Sequence, residues 1–356
     1  MNKIIFHIDF NSYFAAVEQQ ANPRLRGKPI GVTGGDRVKR TVLGAASVEA
    51  KKFGVKTGMQ IWEARALCPS IILVQGDSDK YLETTKRFLN ILKDYSPFLE
   101  VFSIDEAFLE LKDATAMETA LEIKSRIKAE IGEWITCSIG ISYNKLMAKL
   151  AGSLQKPDGL IIIPNQEEAI KILDKIELDA ICGIGGRIKK RLNNLGIFNF
   201  YNLRQAPIES LLASFKSYGQ ILYNMARGID HSLVVSFYEK GEVKSIGHRH
   251  TIDYDTSDSQ EIKVLLLKLS EMVARRLRSK NLIGKTVHLW YRKSDFSGEG
   301  QQITILHTND GLEIFKTVWK IFNQIWSAGR RIRMIGVSIS NLSPTLPQNL
   351  SLLPET

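Results

Sequence analysis

The sequence predicts an α+β protein of several domains: a split βαβ (ferredoxin-like) domain, a helical section and a second α/β domain. Three observations carry this. A chain of 356 residues is long enough for two or three domains. Over residues 1–164 β-leaning runs alternate with helical spacing, whereas residues 165–230 are helical in pattern throughout. From Lys244 the order strand, helix, strand, strand, helix, strand begins afresh.

Lys3–Phe10 (KIIFHIDF) is a short apolar run ending near an aspartate and reads as a buried strand. A helix follows over Tyr13–Gln20, closed by Asn22-Pro23. Residues 24–75 mix glycines with short apolar pieces, which predicts a small subdomain inserted after the first strand. Tyr81–Tyr95 has helical spacing, and Leu99–Leu111 (LEVFSIDEAFLEL) is two β-leaning halves around Ser-Ile-Asp-Glu. Thr119–Glu130 is helical, Thr136–Ile141 a strand, Asn144–Leu154 a helix with Lys145 and Lys149 on one face, and Gly159–Ile163 a last strand. Residues 231–243 read as a linker. Beyond it come a strand from Lys244, a helix (Glu261–Lys280), two strands (Thr286–Arg292, Gln302–Leu306), a helix (Leu312–Ser327) and a strand (Arg333–Leu342). The proline-bearing tail after Pro344 has no hydrophobic period and reads as flexible.

Lysine and arginine outnumber aspartate and glutamate 48 to 38, a net charge of +10 that suggests a polyanionic partner or an anionic surface. Residues 243–342 hold 16 basic against 9 acidic side chains, so most of the excess lies there. Cys68, Cys137 and Cys182 are far apart and read as buried thiols in a reducing compartment, not as a disulfide framework or zinc site. His248 and His250 are the only close histidine pair, with the spacing of one strand face, so a histidine-based metal site is not expected. Ile4–Phe6 is too short for a secretory apolar region, and no stretch approaches the ~20 apolar residues of a membrane helix. The expectation is a cytoplasmic protein with no membrane contact.

Three carboxylates stand out. Asp9 sits at the end of the first strand, and Asp105-Glu106 lie at the centre of the hairpin pattern, flanked by Phe102, Ile104, Ala107, Phe108 and Leu109. Adjacent carboxylates among apolar residues repel and lose hydration, so they take up protons or bind a cation. Mg²⁺ suits such a set, keeping waters and contacting phosphates. The local pattern equally admits a hairpin turn at Asp105-Glu106 and a helix cap at Asp9.

The segments HIDFNSYFAAVE, NPRLRGKPIGV, EAKKFGVKTGM, YSPFLEVFSIDEAFLEL and GISYNKLMAKLAGSLQKPDG resemble the core of the Y-family translesion DNA polymerases, in the family's order. The bacterial DNA polymerase IV branch is the most similar. The resemblance implies a right-hand polymerase with a ferredoxin-like palm (1–12 and 76–164), small fingers (13–75), a helical thumb (165–230) and an α/β little finger (244–342). It implies two Mg²⁺ ions held by Asp9, Asp105, Glu106 and the backbone carbonyl of Phe10. It further implies triphosphate contact by the backbone of Ser12 and Tyr13 and by Lys51 and Lys156, with Phe14 as the steric gate against a ribose 2′-OH. Core packing is the alternative for Phe14, and a surface position for Lys156. Ala45, Val48 and Lys51 stand where the family usually carries Thr, Tyr and Arg, which implies weaker or redistributed phosphate contacts.

CGIGGRIKKRLNNLGI resembles a helix–hairpin–helix, with Gly183 and Gly185 in the turn, Lys189 behind it, and Cys182 where the family has proline. Arg275, Arg276, Arg278 and Lys280 crowd one helix end, and Arg330, Arg331 and Arg333 introduce the last strand as candidate DNA contacts. Gln348, Leu350, Leu352 and Leu353 look like a degenerate sliding-clamp peptide. The function implied is low-fidelity, templated addition of dNTPs to a primer, without proofreading, by a monomer. A single-base or untemplated transferase of the same fold, or a non-catalytic DNA-binding scaffold, are the alternatives.

Overall fold

A computed structural model of the chain describes residues 3–34, 40–112, 115–239, 241–327 and 329–345. The clamp-peptide positions Gln348, Leu350, Leu352 and Leu353 lie outside the described residues. Two compact units divide after Lys240.

The first unit runs β1 (Ile4–Phe10), α1 (Tyr13–Ala21), β2 (Ile30–Thr33), β3 (Leu43–Ala46), α2 (Val48–Lys52), α3 (Ile61–Leu67), β4 (Ile72–Gln75) and α4 (Ser78–Lys93). It continues with β5 (Leu99–Val101), β6 (Glu106–Leu111), α5 (Ala116–Glu130), β7 (Cys137–Ser142), α6 (Lys145–Leu154) and β8 (Leu160–Ile163). The helices α7 (Gln166–Leu173), α8 (Gly186–Asn194), α9 (Phe200–Gln205), α10 (Ile208–Phe215) and α11 (Ser217–Met225) follow.

Five strands form one sheet in the order β5-β6-β1-β7-β8, with β1 antiparallel to both neighbours. Because side chains alternate along a strand, Phe6, Ile8 and Phe10 enter the main core with residues of α4 and α5. Ile5 instead packs with Phe108 and with Ala148 of α6 on the opposite face. Helix α6 lies close there: a Cβ on Gly140 would come within 2.1 Å of the Ala148 carbonyl oxygen and the Gly152 nitrogen. The inserted section forms its own three-stranded sheet, β3-β2-β4.

Some boundaries differ from the sequence reading. Helix α4 begins at Ser78, not Tyr81, because the Asp77 carboxylate accepts from the backbone N–H groups of Asp79 and Lys80. The segment read as a linker is tied to the first unit by buried Val234 and by the Val235 N–H, which donates to Glu100 at 3.0 Å. Cys68 and Cys137 are buried as expected, but Cys182 is exposed, since it occupies the turn before α8 and not a core position.

The second unit runs β9 (Ser245–Thr256), α12 (Ser259–Arg278), β10 (Leu282–Lys293), β11 (Gly298–Thr308), α13 (Gly311–Ile325) and β12 (Ile332–Pro344). Its sheet, ordered β11-β10-β12-β9, buries Val287, Leu289, Tyr291, Ile335, Val337 and Ile339 with α12 and α13. The strands extend beyond their apolar stretches. Gly298, Glu299 and Gly300 pair with β10 through the backbone, which composition does not reveal.

Candidate active site

Register builds the acidic seat. Asp9 lies directly opposite Glu106 across the β1–β6 pair, and His7 lies opposite Phe108. His7 and Asp9, two residues apart, share the strand face that α6 covers. Candidate ligand atoms of His7, Asp9 and Glu106 all fall within 4.8 Å of one another. Asp105 ends the β5–β6 turn, where its carboxylate accepts from Ser103 Oγ at 2.6 Å and its carbonyl accepts from the Phe10 N–H at 3.0 Å. Asp105 therefore does belong to a hairpin turn. Asp9, by contrast, caps nothing: Ser12 is the N-cap of α1.

Asp9 and Glu106 each have an ammonium partner. Lys156 Nζ lies 2.9 Å from Asp9 Oδ1. Glu106 accepts from His7 Nε2 at 2.9 Å and from Lys149, whose ammonium also sits 4.8 Å from the Phe102 ring. Burial pushes the Asp9 carboxyl above its ordinary value, an effect Lys156 offsets only in part. Burial alone would raise Glu106 too, but hydrogen bonds from His7 and Lys149 hold it at about 2. Burial also lowers the pKa of His7, favouring the neutral ring, so a proton on Nε2 serves Glu106 as a hydrogen bond. A set of hard oxygen donors, partnered by His7 and two lysines, is chemically suited to a divalent cation.

Beside the seat opens a cavity of about 530 Å³ lined by Asp9, Asp105, Phe14, Ala45, Val48, Lys51 and Lys156 among others. Helix α1 starts at its wall. Ser12 there adopts left-handed backbone angles (φ 51°), and its buried Oγ has no hydrogen-bond partner among the described residues. The first N–H groups of a helix have no intrahelical acceptor, so this end is electropositive. Tyr13 contributes only backbone here, because its hydroxyl donates inward to the Tyr81 carbonyl at 2.7 Å. Phe14 is half-buried and lines the cavity, with its ring stacked on Tyr81 at 4.3 Å. Lys51 has its pKa lowered by burial and by the neighbouring charge of Lys156, as two ammonium groups facing one cavity require.

The turn carrying Lys156 is fixed from below. Asn11 Oδ1 accepts from the Asp158 N–H at 2.7 Å, Ser138 Oγ accepts from the Gly159 N–H at 3.2 Å, and Lys124 pairs with Asp158 at 2.9 Å. Asn11, His7 and Lys149 were not among the sequence candidates. The strand period could have found His7; Lys149 and Asn11 needed the register of α6 and of residues 155–159.

Elsewhere the basic candidates are not uniformly free. Gly183 requires glycine, at φ 105° and with Met225 Cε 2.7 Å from any added Cβ, whereas Gly185 faces open space. Lys189 is held by Glu177 and Asp179 at 3.0 and 2.8 Å, leaving Arg187, Lys190 and Arg191 as the exposed cations of α8, the last lying over the Phe215 ring. In the second unit Arg330 lies 3.2 Å from Glu299, Arg333 sits over the Phe296 ring at 4.7 Å, and Arg331 is exposed. The sheet face turned away from α12 and α13 offers a group that sequence reasoning missed. Arg249 and Arg292 lie 5.1 and 5.2 Å from the Trp290 ring. Glycines level this face: a Cβ on Gly298 would meet Trp290 at 2.8 Å, and one on Gly336 would meet Arg249 Cγ at 2.6 Å.

Known proteins resemble the chain along nearly its whole length. The impB/mucB/samB family profile matches residues 8–153, its C-terminal domain profile matches 243–352, and a "DNA polymerase-iota, thumb domain" profile matches 179–230. The chain is 38% identical over 354 residues to DNA polymerase IV of Pelotomaculum thermopropionicum, covering 98% of this chain and 87% of that protein. It is 38% identical over 343 residues to DNA polymerase IV of Moorella thermoacetica, covering 94% and 85%. A solved Y-family DNA polymerase chimera superposes with a TM-score of 0.83 at 28% identity, over 95% of this chain and 98% of that one. Among the described residues no helix is long and apolar enough to cross a membrane.

Proposed function

The chain belongs to the Y-family DNA polymerases, and from that premise we propose which of its residues carry out primer extension. It is a DNA-directed DNA polymerase of the translesion type, a metal-dependent nucleotidyltransferase acting on primer-template DNA and dNTPs. One observation supports the residue assignment above the others: Asp9 stands directly across from Glu106, and Asp9 and Asp105 share one cavity with the α1 N-terminus. Asp9, Asp105 and Glu106, with the backbone carbonyl of Phe10, would hold two Mg²⁺ ions, Glu106 completing the site on the primer side. Two Mg²⁺ ions, when bound, supply the charge that activates the 3′-OH and stabilises the leaving pyrophosphate.

The chain's own groups do the positioning. Backbone N–H groups at Ser12 and Tyr13 receive the triphosphate, while Lys51 and Lys156 neutralise it. Phe14, braced by Tyr81, stands where a 2′-OH would project. His7 and Lys149 hold Glu106 ionised and oriented, so it need not shed a proton to act. The Gly183–Gly185 turn, with Lys189 behind it, and Arg330, Arg331 and Arg333 contact the DNA backbone, joined by Arg249 and Arg292 on the open face of the second unit. A monomeric cytoplasmic enzyme, recruited by a sliding clamp through Gln348, Leu350, Leu352 and Leu353, completes the proposal.

Primer extension on undamaged and abasic templates, with dNTPs and rNTPs in parallel, tests it. Asp105→Ala should lose about 10³-fold in rate. Phe14→Ala should gain about 10²-fold in ribonucleotide insertion. Extension by Asp105→Ala at the wild-type rate would end the assignment of the seat.

A further inference from the structure

We propose that Lys156 is an exchangeable counter-ion. Its ammonium holds the Asp9 side of the carboxylate seat while no divalent cation is there, and crosses to the nucleotide's phosphates when cation and nucleotide enter. One side chain thereby couples the two binding events. The inference rests on the proposed seat and on Lys156 as a phosphate ligand.

The two seat lysines differ in how firmly they are held. Lys149 is the fixed one: its side chain is 21% exposed and lies against Glu106, His7 and the Phe102 ring. Lys156 is the loose one, with its side chain 41% exposed and, among the described residues, a single ion pair, to Asp9 at 2.9 Å. Asp9 itself cannot follow it. That side chain is 13% exposed, and its backbone is paired on both sides, to Glu106 and to Ser138. The backbone around Lys156 is equally constrained, because Asn11, Ser138 and Lys124 hold Asp158 and Gly159. The freedom to move therefore resides in the four-carbon stem of Lys156. That stem lines the same cavity as Asp9, Lys51, Lys52 and the α1 N-terminus, so both destinations border the space it moves in.

An ammonium and a divalent cation cannot both occupy Asp9 Oδ1, since they compete for the lone pairs and repel each other. Reciprocity then requires that whatever draws Lys156 away strengthens cation binding by the same factor. Lys52 supplies the control: it lines the same cavity with the same charge and has no ion pair to Asp9.

Two measurements on the full chain test the exchange. Mn²⁺ is titrated without nucleotide or DNA, with free Mn²⁺ read by electron paramagnetic resonance. Lys156→Met should bind Mn²⁺ about fivefold more tightly than wild type, the range of one partly exposed ion pair, and Lys52→Met less than about twofold. Unchanged or weaker binding by Lys156→Met, or an equal gain from Lys52→Met, overturns the exchange. Asp9→Asn should lose Mn²⁺ binding; if it binds like wild type, the seat itself is wrong. In the second measurement dATP is titrated in chelator. Asp9→Asn, by freeing Lys156, should tighten metal-free dATP binding about fivefold in the wild-type background and not in Lys156→Met. An equal gain in both backgrounds means that Asp9 acts only as a distant charge, and the exchange is refuted.

Discussion

The palm sheet and the sheet of the second unit are built alike and differ in what lies on their second face. Each is a mainly or wholly antiparallel sheet with two long helices, α4 and α5 or α12 and α13, packed on one face. In the palm the opposite face is covered by α6, so its polar residues are few, enclosed and paired: Asp9 with Lys156, Glu106 with His7 and Lys149. In the second unit neither α12 nor α13 covers that face, which carries exposed Arg249 beside half-buried Trp290 and Arg292 over glycines. Enclosure makes charges interact strongly and fixes their geometry, which chemistry on phosphates needs. Exposure leaves cations free to meet a long polyanion at any register, which sequence-independent grip needs.

A buried carboxylate that serves chemistry trades stability for activity. Asp9→Asn should lower primer extension by about 10³-fold. Yet it should leave Tm unchanged or raise it by a few degrees. The sign follows from the pKa. Burial raises the Asp9 value in the folded protein, so its ionised form opposes folding at neutral pH, and a neutral amide removes that opposition. Calorimetry beside single-turnover kinetics checks both; a clear fall in Tm would make the seat a structural feature.

The open face should give a smaller effect of another kind. Arg249→Ala combined with Arg292→Ala should weaken DNA binding by about tenfold and flatten the dependence of log Kd on log salt by about two contacts' worth. Turnover at saturating DNA should hold within about twofold. A loss of turnover with unchanged affinity would erase the distinction between the two faces.

The smallest effect concerns Glu106 and is pH-dependent. Its pKa falls from 4.5 to about 2 in the folded protein, so the stability it contributes is present above 4.5 and is lost as pH falls through about 2. Lys149→Met should therefore lower Tm by a few degrees near pH 7, and by much less near pH 2. An equal loss at both would mean that Lys149 contributes through its packing on Phe102 and not through its charge.

Much of this was legible in the residues. Period and breakers located β1, α1, the β5–β6 hairpin and the helix–strand order of the second unit, because each follows from local spacing. The motifs around Asp9 and Asp105-Glu106 identified the family, while the local chemistry of crowded carboxylates admitted a cation site and a turn-and-cap reading alike. What tertiary structure alone decided are the partners. Lys149 and Glu106 are 43 residues apart and Asn11 and Asp158 are 147 apart, and no local pattern encodes such pairings. Nor could composition tell that Lys189 is already matched by Glu177 and Asp179, that Cys182 is exposed, or that Arg249 and Arg292 converge on one tryptophan from separate strands. A charge has the same count wherever it lies, and only the packing of the sheets fixes which opposite charge it meets and how much water stands between them.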